Sequence, residues 1–196
     1  MLAMTRRVVD LLGRRTLLHA VKQQLIDRKS VLLVGPTGIG KSALIRSIAM
    51  PDVMVIDPFE RISVQQAARI RRSMDRGTVW IGAARTLDRA RLGRVGRIAW
   101  RFSTIRVPPL SDMLMRRLIT RACLNAGIRT DLVTPEWRRA LLRLARGRPG
   151  AALAIIEHTP HLWRPGRPLP LPATAYLEVA LHATQGASLP KPEHSR

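Results

Sequence analysis

The sequence predicts an α/β fold, a three-layer sandwich built on a mostly parallel sheet and followed by a small helical lid domain. Three observations carry this reading. Short apolar runs bounded by turn residues alternate with helical patterns up to residue 110, the pattern that a sheet covered by helices on both faces requires. The string Gly35-Pro36-Thr37-Gly38-Ile39-Gly40-Lys41-Ser42 stands where the first of those runs gives way to a helix. After Leu110 the strand pattern stops and only helical periodicity continues.

Taken in order, Val8 to Ile26 reads as a short helix, a break at Gly13 and an amphipathic helix. Ser30 to Val34 is a compact apolar run suited to a strand buried on both faces. Ala43 to Met50 reads as a helix that Pro51 stops. Val53 to Ile56, ending in Asp57, is the second strand. Val64 to Met74 is a helix with Ala67, Ile70 and Met74 on one side, and Asp75-Arg76-Gly77 is its exit turn. Thr78 to Ala84 and Ser103 to Val107 are the third and fourth strands. Met113 to Ala126, Pro135 to Arg146 and Ala151 to His158 are three helical patterns separated by glycines. Prolines at 160, 165, 168, 170 and 172 then call for an extended linker or wrapping arm. Ala173 to Thr184 has room for one last helix, and Gly186 to Arg196 reads as a flexible tail. The expected division is a core over 1–110, a helical lid over 111–158, and an arm with a short helix and tail over 159–196.

The glycine-rich string carries chemistry at each fixed position. Glycines let backbone N–H groups curl around phosphate, the lysine reaches the terminal phosphates, and the serine hydroxyl serves magnesium. A buried strand before it and a helix after it supply the context the motif needs. Phosphoryl transfer also needs a carboxylate to hold magnesium, and Asp57 at the end of a strand fits that place; an acid opening the turn before Pro58 is the plainer alternative. Ser42 and Asp57 are therefore the expected magnesium ligands, and ATP with Mg2+ the expected cofactors.

Composition points to a polyanionic partner. Lys plus Arg number 34 against 13 Asp plus Glu, a formal net charge of +21. Coding bias explains arginine over lysine but not the scarcity of acids. With 4% aromatic residues and no zinc-finger spacing, phosphate contacts suit this chain better than base reading, so DNA bound largely without sequence preference is the expected partner. The single Cys123 forms no internal disulfide, no apolar run is long enough for a membrane span, and Met1 to Arg7 lacks a signal-peptide core. The expected location is cytoplasmic, without membrane contact.

At these residues the chain resembles the AAA+ ATPases, over separate stretches from about Leu12 to Ile156. Leu12-Gly13-Arg14 looks like the Gly-Arg box near adenine in the origin-recognition and signalling-ATPase branch, and Val55-Ile56-Asp57 looks like Walker B. Thr78 to Arg85 is similar to the sensor-one strand, with Arg85 or Thr86 as the sensor. Arg101-Phe102 before the fourth strand looks like the arginine-finger box. Gly147-Arg148-Pro149-Gly150 resembles the sensor-two turn. The resemblance implies nucleotide contacts from Arg14, from Gly35 through Ser42 with Ala43, and from Arg148. It implies catalytic roles for Lys41, Asp57, Glu60 and Arg101. Pro58 stands where the family has a glutamate, so Glu60 is the expected substitute, or hydrolysis is slow. The family's sensor-two arginine would fall at Gly150, which leaves Arg148 as a neighbour. Fifteen residues, 42–56, lie between Lys41 and Asp57, so the usual second strand and helix are expected to be missing. In an alternative registration Val53 to Asp57 is that second strand, and Thr78 to Ala84 is a Walker B strand without its acid.

The function that follows is an AAA+ ATPase that forms homo-oligomers and assembles on DNA, with a protein partner such as a transposase or replication factor. It looks most like the small ATPases of transposition target selection. The alternative is a nucleotide-dependent binding module with little hydrolysis, and a small-molecule phosphotransferase is disfavoured by charge. The five histidines lack ligand spacing, Trp80 reads as core, and Trp100 suits an interface or a lid-facing core equally. The arginines at 69, 71, 72 and 76 form a solvated face or, with 89, 91, 94 and 97, a polyanion track.

Overall fold

A computed structural model describes residues 11–48, 50–88, 92, 96–164 and 167–185. They fall into two compact units, one ending at Pro109 and one beginning at Leu110. Val8 to Asp10, Arg89, Arg91, Arg94 and the tail from Gly186 lie outside the described residues.

The first unit is an open parallel sheet between helices. Helix α1 spans Arg15–Ile26, β1 Val31–Val34, α2 Lys41–Ser47, β2 Val53–Ile56, α3 Val64–Asp75, β3 Val79–Ala84, α4 Gly96–Ala99 and β4 Ser103–Arg106. The strands lie in the order β2-β3-β1-β4, each neighbouring pair parallel. All four residues of β1 are buried, as its unbroken apolar run requires for a strand covered on both faces. Side chains alternate across a strand, so Val31 and Leu33 join Val21, Leu25 and Leu44 in one core cluster, while Leu32 and Val34 join Ile70, Leu92 and Ile98 in another. Thus α1 and α2 cover one face, and α3 and α4 the other.

Local signals set several boundaries. At the start of α3, Ser63 Oγ accepts from the Gln66 N–H at 3.1 Å, while Gln66 Oε1 accepts from the Ser63 N–H at 2.7 Å, a reciprocal capping box. The 3-10 turn Phe59–Arg61 that precedes it is pinned by Phe59, which is fully buried and meets Phe102 edge-on at 5.5 Å.

The second unit is helical: α5 spans Asp112–Asn125, α6 Pro135–Ala145, α7 Pro149–Leu162 and α8 Pro172–Gln185. Its core places Met115, Ile119 and Cys123 at four-residue spacing opposite Trp137, Leu141 and Ala145, with Ala152, Ile155, Ile156 and Ala175 between them. Thr134 caps α6 by accepting from the Trp137 N–H at 3.1 Å, and Arg146 and Gly147, both at positive φ, end it. The third helix of this unit runs four residues beyond the His158 end expected from sequence. Pro160 lies inside it and removes one backbone bond, a cost of about 3 kcal/mol in an isolated helix. Burial outweighs that cost, because Ile155, Ile156 and Thr159 are at most 1% exposed, and the Thr159 hydroxyl donates to the Ile155 carbonyl at 2.7 Å. The proline-rich segment lies on this unit: the Trp137 indole N–H donates to the Pro170 carbonyl at 2.9 Å, and Leu169 packs on the core.

Candidate active site

The phosphate-loop string leaves the end of β1 held on two sides. The Gly35 N–H donates to the Ala84 carbonyl at 3.1 Å, and the Val107 N–H donates to the Val34 carbonyl at 2.8 Å. A Cβ at position 35 would sit 3.2 Å from the Ile39 side chain and 3.3 Å from the Val107 carbonyl, so the loop closes tightly there. Ile39, only 1% exposed, anchors the loop in the core. Gly38 and Gly40 adopt φ of 80° and 104°, a region that side-chain-bearing residues rarely enter. Ser42 and Ala43 follow in the first turn of α2, both half-buried.

Arg14 supports this loop from beneath. It is 5% exposed, and its guanidinium donates to the Ile39 carbonyl at 3.3 Å and the Pro108 carbonyl at 2.6 Å. Burial lowers its pKa from the ordinary arginine value. The guanidinium thereby ties the phosphate loop to the segment leaving β4.

Four charged groups converge at the loop. The Lys41 ammonium donates to the Gly35 carbonyl at 2.6 Å and the Pro36 carbonyl at 3.0 Å. Burial lowers its pKa, Glu60 and then Asp57 oppose that shift, and Arg85 adds to it, so the ammonium feels all three side chains. Asp57 is exposed at the end of β2, and β3 lies between that strand and β1. Glu60 sits on the turn that Phe59 pins. Its Oε1 accepts from the Arg85 N–H, while its Oε2 is buried and has no hydrogen-bond partner. A buried carboxylate oxygen without a donor is costly unless something brings one. A water beside Lys41 would supply that donor, and in that respect Glu60 fits a carboxylate that positions a water next to the phosphates of a nucleotide. Among the described residues no group of three His, Cys, Asp or Glu side chains could hold a metal ion by itself. Magnesium typically takes one or two carboxylates and completes its shell with phosphate and water.

The other expected site residues lie elsewhere. Arg101 stands just before β4, at the end of the parallel sheet opposite to the phosphate loop, and pairs with Asp75 at 2.6 Å across a half-exposed contact. Arg148, in the helical unit, is the N-cap residue of α7, and its guanidinium donates to the Ala145 carbonyl at 3.1 Å and the Leu144 carbonyl at 3.4 Å. It covers the last carbonyls of α6. Thr86 accepts from the Asp88 N–H at 3.0 Å. Trp100 is 72% exposed and is not a core residue of its unit.

Two residues that position the site were not singled out from sequence. A Cβ at Gly82 would lie 2.9 Å from Leu32 Cδ1 and at ordinary contact, 3.4 Å, from Phe59 Cδ2, so the bare backbone at 82 lets Leu32 and Phe59 pack closely over it. The available signal was a glycine inside the apolar strand Val79–Ala84, which marks a close approach of another group.

No family model matches the sequence, and no curated protein matches it. Solved structures do. Two variants of RuvB from Thermotoga maritima, each 15% identical, superpose with a TM-score of 0.57 over 86% of this chain and 66% or 67% of theirs. The Thermotoga maritima RuvB Holliday junction branch migration motor matches at 16% identity and a TM-score of 0.53, over 86% of this chain and 67% of that one. A Walker-type ATPase of Pyrococcus abyssi matches at 12% identity and a TM-score of 0.59, over 90% of this chain and 74% of that one. The chain thus spans about two thirds of the RuvB length. It has the α/β P-loop ATPase-like fold of these structures, with a helical C-terminal portion, as expected from sequence.

Proposed function

We propose that this chain is an ATPase of the AAA+ type, with Lys41, Asp57 and Glu60 as its working side chains. The observation that carries the reading is the convergence on Lys41 of two carboxylates, one of which has a buried oxygen without a donor. Lys41 offsets charge on the terminal phosphates, the loop N–H groups from Thr37 to Ser42, Ile39 apart, hold them, and Glu60 orients the attacking water in the role that Pro58 cannot fill. Ser42 and Asp57 are the residues to hold magnesium, which when bound neutralises phosphate charge. Arg14 acts through the loop it braces. The net charge of +21 supports assembly on DNA. Homo-oligomerisation, a transposase or replication-factor partner and a place in transposition, recombination or replication are the finer terms of the same proposal. So are the lid over 111–158 and the arm over 159–196.

Pro58 directly after Asp57 favours a second reading, a nucleotide-dependent switch that hardly turns over. One set of measurements separates the two. Lys41→Ala should abolish ATP binding with circular dichroism unchanged, and Glu60→Gln should bind ATP normally while losing at least about tenfold in turnover. Wild-type protein that binds ATP without turning it over, with or without DNA, supports the switch. Undiminished ATP affinity in folded Lys41→Ala protein refutes both. DNA affinity should fall by about 0.9 log units per log unit of salt for each phosphate neutralised, and a gel shift empty at low salt refutes the DNA half.

A further inference from the structure

The outer side of β2 is an open edge: the strand lies at one end of the sheet, and among the described residues nothing pairs with its far side. Open edges present unpaired N–H and C=O groups and are commonly blunted with charge or proline. This one is not. Met54 is 49% and Val55 54% exposed, so apolar side chains face solvent at successive positions of one short strand. Beside the strand lies a groove of about 540 Å³, its apolar wall formed by Val55, Ile62, Ile70 and Trp80, and two arginines, Arg61 and Arg69, line it against one acid, Asp57. Neither arginine forms an ion pair among the described residues. An apolar trough with cationic groups beside an unpaired edge has the components of strand addition, in which main-chain bonds hold an extended segment and alternate side chains seat in the trough. A second copy of this chain is a poor occupant. With 34 Lys plus Arg against 13 Asp plus Glu, its extended segments bring like charge to Arg61 and Arg69.

We propose that a partner protein adds an extended strand of alternating apolar and acidic residues along the free edge of β2, its apolar side chains in the groove and its carboxylates at Arg61 and Arg69. The full chain is titrated into a fluorescein-labelled peptide of alternating valine and glutamate at about 0.15 M salt, where long-range attraction is screened. Two control peptides accompany it, one with a central valine replaced by proline and one with lysine for glutamate. The acidic strand should bind, and both controls should bind at least about tenfold more weakly, the worth of roughly 1.4 kcal/mol. Val55→Ser and Arg69→Glu, both at exposed positions, should each weaken binding by a similar factor. The readout is anisotropy without nucleotide, so it stands whether or not the ATPase reading does. No binding by the wild type overturns the proposal. Equal binding of the proline peptide overturns it in favour of bulk charge attraction, and variants that bind like the wild type overturn it outright. Sedimentation showing a wild-type dimer that Val55→Ser dissociates overturns it in favour of a second copy.

Discussion

Gly82→Ala is the substitution that most directly tests how the active-site carboxylate is held. The new Cβ would lie 2.9 Å from Leu32 Cδ1, closer than carbon atoms pack, and 3.4 Å from Phe59 Cδ2. Leu32 and Phe59 are both fully buried, so neither has open space to move into. Overpacking of this kind typically costs about 1–3 kcal/mol. In a unit of this size each kcal/mol lowers Tm by roughly 4–8 °C, so a fall of at least about 4 °C is expected by calorimetry. The second effect is on chemistry. The atom that must move is Leu32 Cδ1, Phe59 packs in the same cluster, and Glu60 is its neighbour on the same turn, so a shift passed on to Phe59 should lower turnover by about tenfold, since misplacement by 1 Å can cost a hundredfold. ATP affinity should hold, because none of the loop residues touches position 82. Turnover is measured well below the variant's Tm, which separates displacement from unfolding. An unaltered Tm together with unaltered turnover would refute the idea that the close packing over 82 sets Glu60.

Three other outcomes are expected. Burial depresses the Lys41 pKa, so its proton is lost sooner than an ordinary lysine's as pH rises; ATP affinity measured by titration should decline before pH reaches 10.5, and Lys41→Arg should remove that decline. Cys123 is 2% exposed with its thiol pKa raised by burial, so the reactive thiolate is suppressed; alkylation of native protein at neutral pH should run at least about a hundredfold slower than in denaturant. Arg101 faces away from its own phosphate loop, so Arg101→Ala should keep ATP binding and lose turnover only where subunits share a site. Mixing it with Lys41→Ala should then restore activity, and co-assembled but inactive mixtures would assign Arg101 to its ion pair with Asp75.

Most of the fold was legible because three of the four strands of the first unit are short apolar runs flanked by turn residues, and the fourth, Ser103–Arg106, is rich in β-forming residues before two prolines. The alternation along β1 even separates its two faces, Val31 and Leu33 from Leu32 and Val34. The loop residues were legible for the same kind of reason, since the motif fixes spacing within one continuous stretch. What could not be read is what depends on contacts distant in sequence. Arg14 meets a carbonyl 94 residues away at Pro108; the Leu12-Gly13-Arg14 box singled it out for a nucleotide contact, but nothing local showed that it braces the loop. The pinning of Glu60 depends on Gly82 leaving space for Leu32 and Phe59, a steric fact with only a weak local sign. Pro160 misled in the opposite direction, because a strong local stop signal was overridden by the burial of Ile155, Ile156 and Thr159 on one helix face.

The short span between Lys41 and Asp57 connects the topology to the chemistry. Fifteen residues, 42–56, must finish α2, turn, and supply a strand, which leaves no length for a further strand and helix. The strand that carries Asp57 therefore sits at the sheet's edge with a single neighbour, β3, in the register Val53 to Val79 through Ile56 to Gly82. With no second strand to hold it, the Asp57 to Arg61 segment is placed by β3 and by the burial of Phe59 against Phe102. Gly82 is the residue opposite Ile56 in that register and also the one over which Leu32 and Phe59 pack, so one small position aligns the edge strand and seats the turn that follows it. The same shortening leaves the outer edge of β2 open, directly beside those two carboxylates. A chain with a longer connection would cover that edge with its own strand; this one presents it next to Asp57 and Glu60, the carboxylates of the proposed hydrolysis.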